Sequence, residues 1–244
     1  EPPLSYHLVF FARQADGTPI VIKCTVPNDE QPPEVAAVHA LSDAGIGPRL
    51  LWSDLERGAL AMERIMPGCT LPTHIPTLEE DREIVGTIGR LAARIGREVD
   101  ITPFRERLVT VREYTSTLDT FDPASAIWRD HRDEVDRARA LRDAMLARVD
   151  RPHGFVHGDL HHYNILLDGQ WQPKPIDPKG LIGPIGYDFG VMTYDPMEIQ
   201  RHPDLPGLFR QRVTVWSDAT GLPWEEVRDW GYVGAMVSAC WDAE

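Results

Sequence analysis

The most informative segment of this sequence is His157-Gly158-Asp159-Leu160-His161-His162-Tyr163-Asn164. It holds an aspartate and an asparagine separated by four residues, which is the spacing of a loop that catalyses phosphoryl transfer. Such a loop needs a carboxylate that orients the attacking hydroxyl group and a ligand for magnesium. We therefore predict that Asp159 is the catalytic residue, which accepts the proton of the substrate hydroxyl, and that Asn164 binds Mg²⁺.

A second metal ligand is expected shortly after this loop. The segment Pro175-Ile176-Asp177-Pro178-Lys179-Gly180 follows it by one tight hairpin, which turns at Asp168-Gly169. The triplet Asp188-Phe189-Gly190 spells the metal motif of protein kinases, but it lies beyond an additional loop rich in glycine and proline. The spacing predicts Asp177 as the metal ligand and Asp188 as a support for the catalytic loop.

The N-terminal part of the chain has the pattern of a small β-rich unit. Alternating apolar residues predict a hairpin that turns at Asp16-Gly17, and a helix closed by glycines follows it. Two more strand-like runs complete the order β, β, α, β, β. These elements lie at 8–13, 20–23, 34–44, 50–53 and 58–63.

The rest of the chain predicts a larger and mainly helical unit. Amphipathic helices are indicated over 78–97 and 133–149, and helical spacing returns over 209–241 with one interruption. Residues 154–188 contain short apolar runs broken by Gly, Pro and Asp, which is typical of loops and short hairpin strands.

Four groups of residues together resemble the aminoglycoside/hydroxyurea phosphotransferase family of small-molecule kinases. The Asp-Pro-Lys-Gly segment is more specific than the catalytic loop and indicates the streptomycin-like subgroup. The groups are His157–His162 with Asn164, Ile176–Leu181, Gly186-Tyr187-Asp188, and Met62-Glu63-Arg64-Ile65 with Pro67-Gly68.

The resemblance implies an α+β, protein-kinase-like fold of two lobes. Residues 1–65 would form the small β-rich N-terminal lobe, and residues 66–244 the larger, mainly helical C-terminal lobe. ATP would bind with Mg²⁺ in the cleft between the lobes, and the acceptor would bind on the helical lobe. Kinases cover the phosphates with a glycine-rich turn between their first two strands. No such turn precedes Leu8 in this sequence, so we expect the lobe to lack its first strand and that turn.

The resemblance also assigns nucleotide contacts in the small lobe. Lys23, at the end of a strand, matches the lysine that contacts the α- and β-phosphates, and Glu34 on the next helix is expected to pair with it. Glu63 and Ile65 belong to the segment that resembles the hinge, whose backbone binds adenine. Taken without this context, Lys23 would be an ordinary solvated strand end.

Composition limits the partners and the location. A formal charge of −13 argues against nucleic acid, because phosphate backbones require basic faces. It fits a small cationic acceptor, but it fits acidity that only keeps the protein soluble at least as well. Candidate acids near the acceptor are Asp195, Glu198 and Asp242, although a surface position suits each of them better. The sequence contains no membrane-spanning run or signal peptide, and three widely spaced cysteines fit a reducing compartment. We expect a cytoplasmic monomer or homodimer that does not bind membranes.

Other functions fit parts of the pattern. Histidines at 153, 157, 161 and 162 could suggest zinc, but Gly158 and the absence of a helix argue against a ligand pair. Asp159 and Asp177 could flank a glycosidic bond, which would leave Asn164 and Lys23 without a role. A metabolic kinase for hydroxyurea, a sugar or another alcohol fits the same loop, and so does a non-catalytic nucleotide-binding protein.

Overall fold

The computed structural model describes residues 7–72, 77–121, 130–150 and 153–242. Its architecture is α+β, as predicted, with a small four-stranded lobe followed by a larger and mainly helical lobe. The small lobe has the predicted order β, β, α, β, β. Its elements are β1 (His7–Arg13), β2 (Pro19–Thr25), α1 (Gln31–Asp43), β3 (Leu50–Asp54) and β4 (Ala59–Glu63).

The small sheet is antiparallel in the order β1-β2-β4-β3. Helix α1 begins at Gln31, three residues before the predicted start, because two prolines occupy its first turn. Proline is tolerated there, since the N–H groups of the first turn have no partner within the helix. The helix packs Val35 against Leu60 and Met62 of β4, which fixes it over one face of the sheet.

The larger lobe contains two three-stranded sheets. One has the order β5-β8-β9 and carries the predicted hairpin, and the other has the order β6-β10-β7. The sequence did not indicate β5, which pairs with β8 immediately after the hinge segment. The strands are β5 (Pro67–Thr70), β6 (Val109–Thr110), β7 (Gly154–Val156), β8 (Ile165–Asp168), β9 (Pro173–Pro175) and β10 (Leu181–Gly183).

Helices make up the rest of the larger lobe. The three long predicted helical regions are present, and the tail is divided by a left-handed Gly221 (φ 75°). The α-helices are α2 (Leu78–Glu98), α3 (Val111–Tyr114), α4 (Thr117–Thr120), α5 (Arg132–Leu146), α6 (Leu205–Thr220) and α7 (Trp224–Trp241), and 3₁₀ helices cover Thr102–Arg107, His162–Asn164, Ile185–Thr193 and Met197–Arg201.

The core of the larger lobe supports the loops that carry the site. Phe189 and Trp216 pack together at 5.4 Å between ring centroids, in the cluster that also includes the buried face of α2. Arg212 of α6 forms a fully buried ion pair with Asp81 of α2, and it also donates to the backbone carbonyls of Met192 and Asp195. These contacts fix the segment after the catalytic loop against two long helices.

Among the described helices, none has both the length and the apolar character that crossing a bilayer requires. The division of the chain between residues 65 and 66 stays a prediction.

Candidate active site

Asp188 holds the backbone of the catalytic loop by hydrogen bonds. The two carboxylate oxygens of Asp188 accept hydrogen bonds from the backbone N–H groups of His157 (3.1 Å) and Gly158 (2.7 Å). Asp188 is almost fully buried, and burial raises its pKa to about 7 against the effect of these two donors. Both oxygens are occupied by the loop backbone, so the predicted supporting role of Asp188 is confirmed.

His157 connects the catalytic loop to the segment around Asp177. Its ring Nε2 lies 3.0 Å from the backbone oxygen of Ile176, and its own carbonyl accepts a hydrogen bond from the N–H of Lys179 at 2.8 Å. Burial lowers the pKa of His157 to about 4, so the ring is neutral at physiological pH. The histidine therefore shapes the loop.

Asp159 and Asn164 contact each other directly. The side-chain amide of Asn164 donates to the backbone oxygen of Asp159 at 3.0 Å and to its Oδ2 at 3.2 Å. His161 Nε2 lies 3.4 Å from the other carboxylate oxygen, Oδ1. Because the NH₂ group of Asn164 is committed to Asp159, its amide oxygen is the atom left to bind a cation.

The environment keeps Asp159 ionised. Burial favours the neutral acid, but the hydrogen bond and charge of His161, followed by the charge of Lys179, hold the pKa of Asp159 below its usual range. The side chain is 27% exposed, so a hydroxyl group can reach it. A carboxylate in this state can accept a proton at neutral pH.

Lys23 lies between two carboxylates of different elements. Its Nζ contacts Glu34 Oε1 of α1 at 2.5 Å and forms a second ion pair with Asp177. Burial opposes the charge of Lys23, but Asp177 and Glu34 outweigh it and raise the pKa of the lysine. Burial likewise opposes ionisation of Asp177, yet Lys23 holds the pKa of that carboxyl below its usual range. The predicted pair of Lys23 and Glu34 is present.

Asp177 has a left-handed backbone (φ 60°), which is uncommon outside glycine. The adjacent Ile176 N–H donates to the carbonyl of Asn164 at 2.9 Å, so the hairpin brings Asp177 back beside the catalytic loop. Two oxygen donors, the amide of Asn164 and the carboxylate of Asp177, thus line one side of the cleft. Hard oxygen ligands of this kind fit Mg²⁺.

A cavity of about 210 Å³ brings the predicted nucleotide residues together. Apolar side chains of both lobes form most of its wall, among them Val21, Met62 and Leu166. The six residues that the sequence assigned to nucleotide or metal all line it, namely Lys23, Glu34, Glu63, Ile65, Asn164 and Asp177. An apolar slot that ends at a lysine and two oxygen ligands suits a purine nucleotide and its phosphates.

A larger cavity of about 590 Å³ has Asp159 on its wall. Aromatic rings line it, and Tyr114 meets Trp241 edge to face at 5.1 Å between centroids. The acids on its wall besides Asp159 are Glu30 and Glu113, together with the buried Asp188. The acids that the sequence suggested near the acceptor, Asp195, Glu198 and Asp242, are not among its lining residues.

Sequence reasoning missed the lining of this cavity for a physical reason. Its acids and rings come from the loop before α1, from α3, and from residues near 187–194 and 241. No local spacing connects these segments, and only folding places them together. An aromatic residue at the end of a helix is more often part of the core, so Trp241 carried no signal of its own.

Comparison with known proteins agrees with this geometry. A sequence profile described as "Aminoglycoside/hydroxyurea antibiotic resistance kinase" matches residues 5–244. Streptomycin 6-kinase of Streptomyces griseus is 26% identical over 97% of this chain and 75% of its own length. Hydroxyurea phosphotransferase of Kitasatospora aureofaciens is 31% identical over 97% of this chain and 66% of its own length.

A solved structure shares the fold at low identity. The choline kinase LicA of Streptococcus pneumoniae, which is also known in complex with AMP, superposes with a TM-score of 0.63. The match is 15% identical and covers 100% of this chain and 82% of that one. Because the profile spans nearly the whole sequence, the chain belongs to the aminoglycoside/hydroxyurea antibiotic resistance kinase family and is a small-molecule kinase that phosphorylates an alcohol group.

Proposed function

We propose that this kinase transfers the γ-phosphate of ATP to a hydroxyl group of a cationic aminoglycoside of the streptomycin type, with Mg²⁺ bound at Asn164 and Asp177. The observation that carries the proposal is the 590 Å³ cavity, which has Asp159 on its wall and combines carboxylates with aromatic rings. Its volume is in the range of pockets that enclose whole small molecules.

Residues 1–65 act in this proposal as the nucleotide lobe and residues 66–244 as the catalytic and acceptor lobe. Adenine occupies the apolar part of the 210 Å³ cavity, next to the backbone of Glu63 and Ile65. Lys23, held by Glu34, contacts the α- and β-phosphates. A bound Mg²⁺ supplies positive charge that stabilises the triphosphate and its transition state.

Asp159 has the central role in the transfer. Its ionised carboxylate orients the acceptor hydroxyl and accepts its proton as the new bond forms between the acceptor oxygen and the γ-phosphorus. The bond from that phosphorus to the β–γ bridging oxygen breaks, and ADP leaves. Asn164 steadies the carboxylate through the contact at 3.2 Å. Positioning and charge supply most of the rate in such reactions.

Charge and ring chemistry support a cationic acceptor. Streptomycin-like aminocyclitols carry guanidinium or ammonium groups, which pair with carboxylates such as Glu30 and Glu113 and stack on the rings of Tyr114 and Trp241. The formal charge of −13 would attract such a molecule at long range.

A second acceptor, hydroxyurea, is favoured by the higher identity (31%) to hydroxyurea phosphotransferase. Hydroxyurea is small and uncharged, so it would fill little of the cavity and would not use its acids. The size and charge of the cavity therefore favour the aminoglycoside.

An acceptor panel tests the proposal. Release of ADP is measured with streptomycin, an aminoglycoside that has ammonium but no guanidinium groups, hydroxyurea, amino sugars and simple alcohols, and ³¹P NMR identifies the product. We expect the highest kcat/KM with streptomycin. Preference for hydroxyurea or an uncharged alcohol would refute the aminoglycoside proposal and leave the kinase assignment intact.

A further inference from the structure

We propose that Lys179 is an additional catalytic residue, whose ammonium group contacts the γ-phosphoryl group while it passes from ATP to the acceptor. This inference rests on the proposed function. Lys179 follows Asp177 by two positions, yet its side chain takes no part in the nucleotide cavity described above. It lies at a different place, where the nucleotide side and the acceptor side of the cleft meet.

The backbone fixes Lys179 against the catalytic loop. Its N–H donates to the carbonyl of His157 at 2.8 Å. Gly158 is left-handed (φ 86°), and a Cβ atom there would lie 2.9 Å from the Cβ of Lys179. Gly180 is left-handed as well (φ 72°), and a Cβ atom there would lie 2.4 Å from the carbonyl oxygen of Pro33 in α1. The two glycines thus permit a close approach of the backbones. This approach places the Cβ atom of Lys179 beside Gly158, the residue before Asp159.

Two cavities share Lys179 on their walls. One is the 590 Å³ acceptor cavity, which contains Asp159. The other is a cavity of about 130 Å³ that contains Lys23 and Asp177. A group that moves from the triphosphate to the acceptor must pass between these two places. Lys179 therefore stands beside the path of the phosphoryl group.

The ammonium group is available for a ligand. Within the described ranges, Lys179 Nζ forms no hydrogen bond or ion pair, whereas Lys23 Nζ is paired with two carboxylates. Lys179 is only half-buried, so its charge costs little desolvation. The positive charge of Lys179 nonetheless acts on Asp159 and Asp177. Burial opposes the ionisation of both carboxyls, and Lys179 is one of the groups that lower their pKa.

The charge of the residues around the acceptor cavity bears on the role of Lys179. Among the described residues that line that cavity, Lys179 is the only Lys or Arg. If the acceptor is cationic, a lysine on the wall weakens its binding by like-charge repulsion. Negative charge is concentrated on the phosphoryl group during transfer. A role of Lys179 in stabilising that charge explains why a positive group lies where it opposes acceptor binding.

The presence of lysine and not arginine at position 179 supports the same role. The sequence contains 25 Lys and Arg residues, and only positions 23, 174 and 179 are lysine. Two of these three lysines lie in the cleft. A compact ammonium with rotatable donors can follow a moving phosphoryl group as a point charge, whereas the planar guanidinium of arginine favours a fixed fork geometry.

In this mechanism Lys179 forms no covalent bond and keeps its protons. The bond from phosphorus to the acceptor oxygen forms, the bond to the β–γ bridging oxygen breaks, and the hydroxyl proton moves to Asp159. The ammonium group contacts an equatorial oxygen of the phosphoryl group throughout. Its stabilisation is greatest in the transition state, so it should affect kcat more than the binding of either substrate.

The first experiment needs no acceptor. The purified protein is treated with Mg²⁺ and an ATP analogue that carries a reactive acyl group on its γ-phosphate, which acylates lysines near that phosphate. Mass spectrometry then locates the amides. We expect labelling of Lys179 and Lys23 that excess ATP prevents, and no labelling of Lys174. Labelling of Lys23 without Lys179 would overturn the inference. If no lysine is labelled, nucleotide binding itself, and with it the proposed function, is refuted.

The second experiment separates catalysis from binding. For Lys179→Met we expect kcat to fall about 10²–10³-fold, the usual loss when one charge-stabilising contact is removed. The KM of a cationic acceptor should stay the same or decrease, because a repulsive charge is gone. Lys179→Arg should recover part of the activity. The matched control is Lys174→Met, in the exposed hairpin, where Nζ makes only a contact of 3.3 Å with the carbonyl of Gly45.

Labelling at Lys23 and the thermal unfolding temperature establish that Lys179→Met is folded. A folded Lys179→Met enzyme with the kcat of the parent would overturn the inference. A rise in acceptor KM at unchanged kcat would also overturn it, because it would assign Lys179 to acceptor binding.

Discussion

Asp177 forms an ion pair with Lys23, although 154 positions separate the two residues. The pair joins β2 of the small lobe to the turn after β9 of the larger lobe. Lys23 also contacts Glu34 at 2.5 Å, so two carboxylates share one ammonium group. The three groups together carry one excess negative charge, which favours the binding of a divalent cation beside Asp177.

The first prediction concerns this charge. Asp177→Asn keeps a side chain that tolerates the left-handed backbone (φ 60°) and removes one negative charge. We expect turnover to fall by at least about 10²-fold, the usual loss for one electrostatic contact to the transition state. The Mg²⁺ concentration that gives half-maximal activity should rise. Magnesium titrations of the parent and the variant measure both effects.

Asp168→Asn is the matched control for that variant. Asp168 lies in the same hairpin, but it caps the turn through hydrogen bonds from Gln170 and Gln172 and does not line the nucleotide cavity. The Asp168→Asn variant should have the magnesium requirement of the parent. If Asp177→Asn behaves like Asp168→Asn, Asp177 does not bind the metal.

Asp159 is predicted to act on the acceptor and not on ATP. We expect Asp159→Ala to lower kcat by about 10²–10⁴-fold, the range for loss of general base catalysis. The affinity for ATP, measured by isothermal titration calorimetry, should change little, because Asp159 lies outside the nucleotide cavity. An Asp159→Ala enzyme with nearly normal turnover would refute its assignment as the catalytic residue.

Asp188 gives a prediction about stability. In Asp188→Ala the buried N–H groups of His157 and Gly158 lose their acceptors. Each unsatisfied buried group costs about 1–3 kcal/mol in the free energy of unfolding. Denaturant unfolding measures the loss. Asp168→Ala serves as the comparison, since its hydrogen bonds lie in an exposed turn and should matter much less.

The contribution of Asp188 to the free energy of unfolding should also depend on pH. Burial raises its pKa in the folded protein to about 7, above the value of about 3.9 for an unfolded aspartate. The folded state therefore favours the protonated acid, so this contribution to stability is fully present below about pH 4 and is lost as the pH rises through about 7. The difference in unfolding free energy between the parent and Asp188→Asn should be larger at pH 5 than at pH 8. A difference that is constant or grows with pH would contradict the shifted pKa.

The aromatic wall of the acceptor cavity gives the last prediction. Trp241→Ala should raise the KM of a cationic acceptor about 2–30-fold, which corresponds to loss of a cation–π contact of about 0.5–2 kcal/mol. Its effect on the KM of ATP should be small. The control is Trp171→Asn, at an exposed turn whose left-handed backbone (φ 58°) accepts asparagine. Equal effects of the two variants on acceptor KM would remove Trp241 from the acceptor site.

Local sequence patterns were sufficient to predict the candidate catalytic loop and the order of the elements around it. Asp159 and Asn164 are five positions apart, so a single loop carries both and their contact follows from local geometry. The choice of Asp177 over Asp188 also followed from local spacing, because one short hairpin connects Asp177 to the loop. Local patterns were sufficient for the element order of the small lobe, where turn residues bound the apolar runs that become strands and glycines mark the end of the helix.

Only the tertiary structure decided how the cleft is lined. Strand β5 could not be recognised, since four residues with Pro and Gly become a strand only by pairing with β8. Glu30, Tyr114 and Trp241 meet in the acceptor cavity through long-range packing of α1, α3 and α7 against the catalytic loop. The position of Lys179 between two cavities depends likewise on glycines that allow distant backbones to touch. Hydrophobic periodicity records which face of an element is buried, but it does not record which partner covers that face.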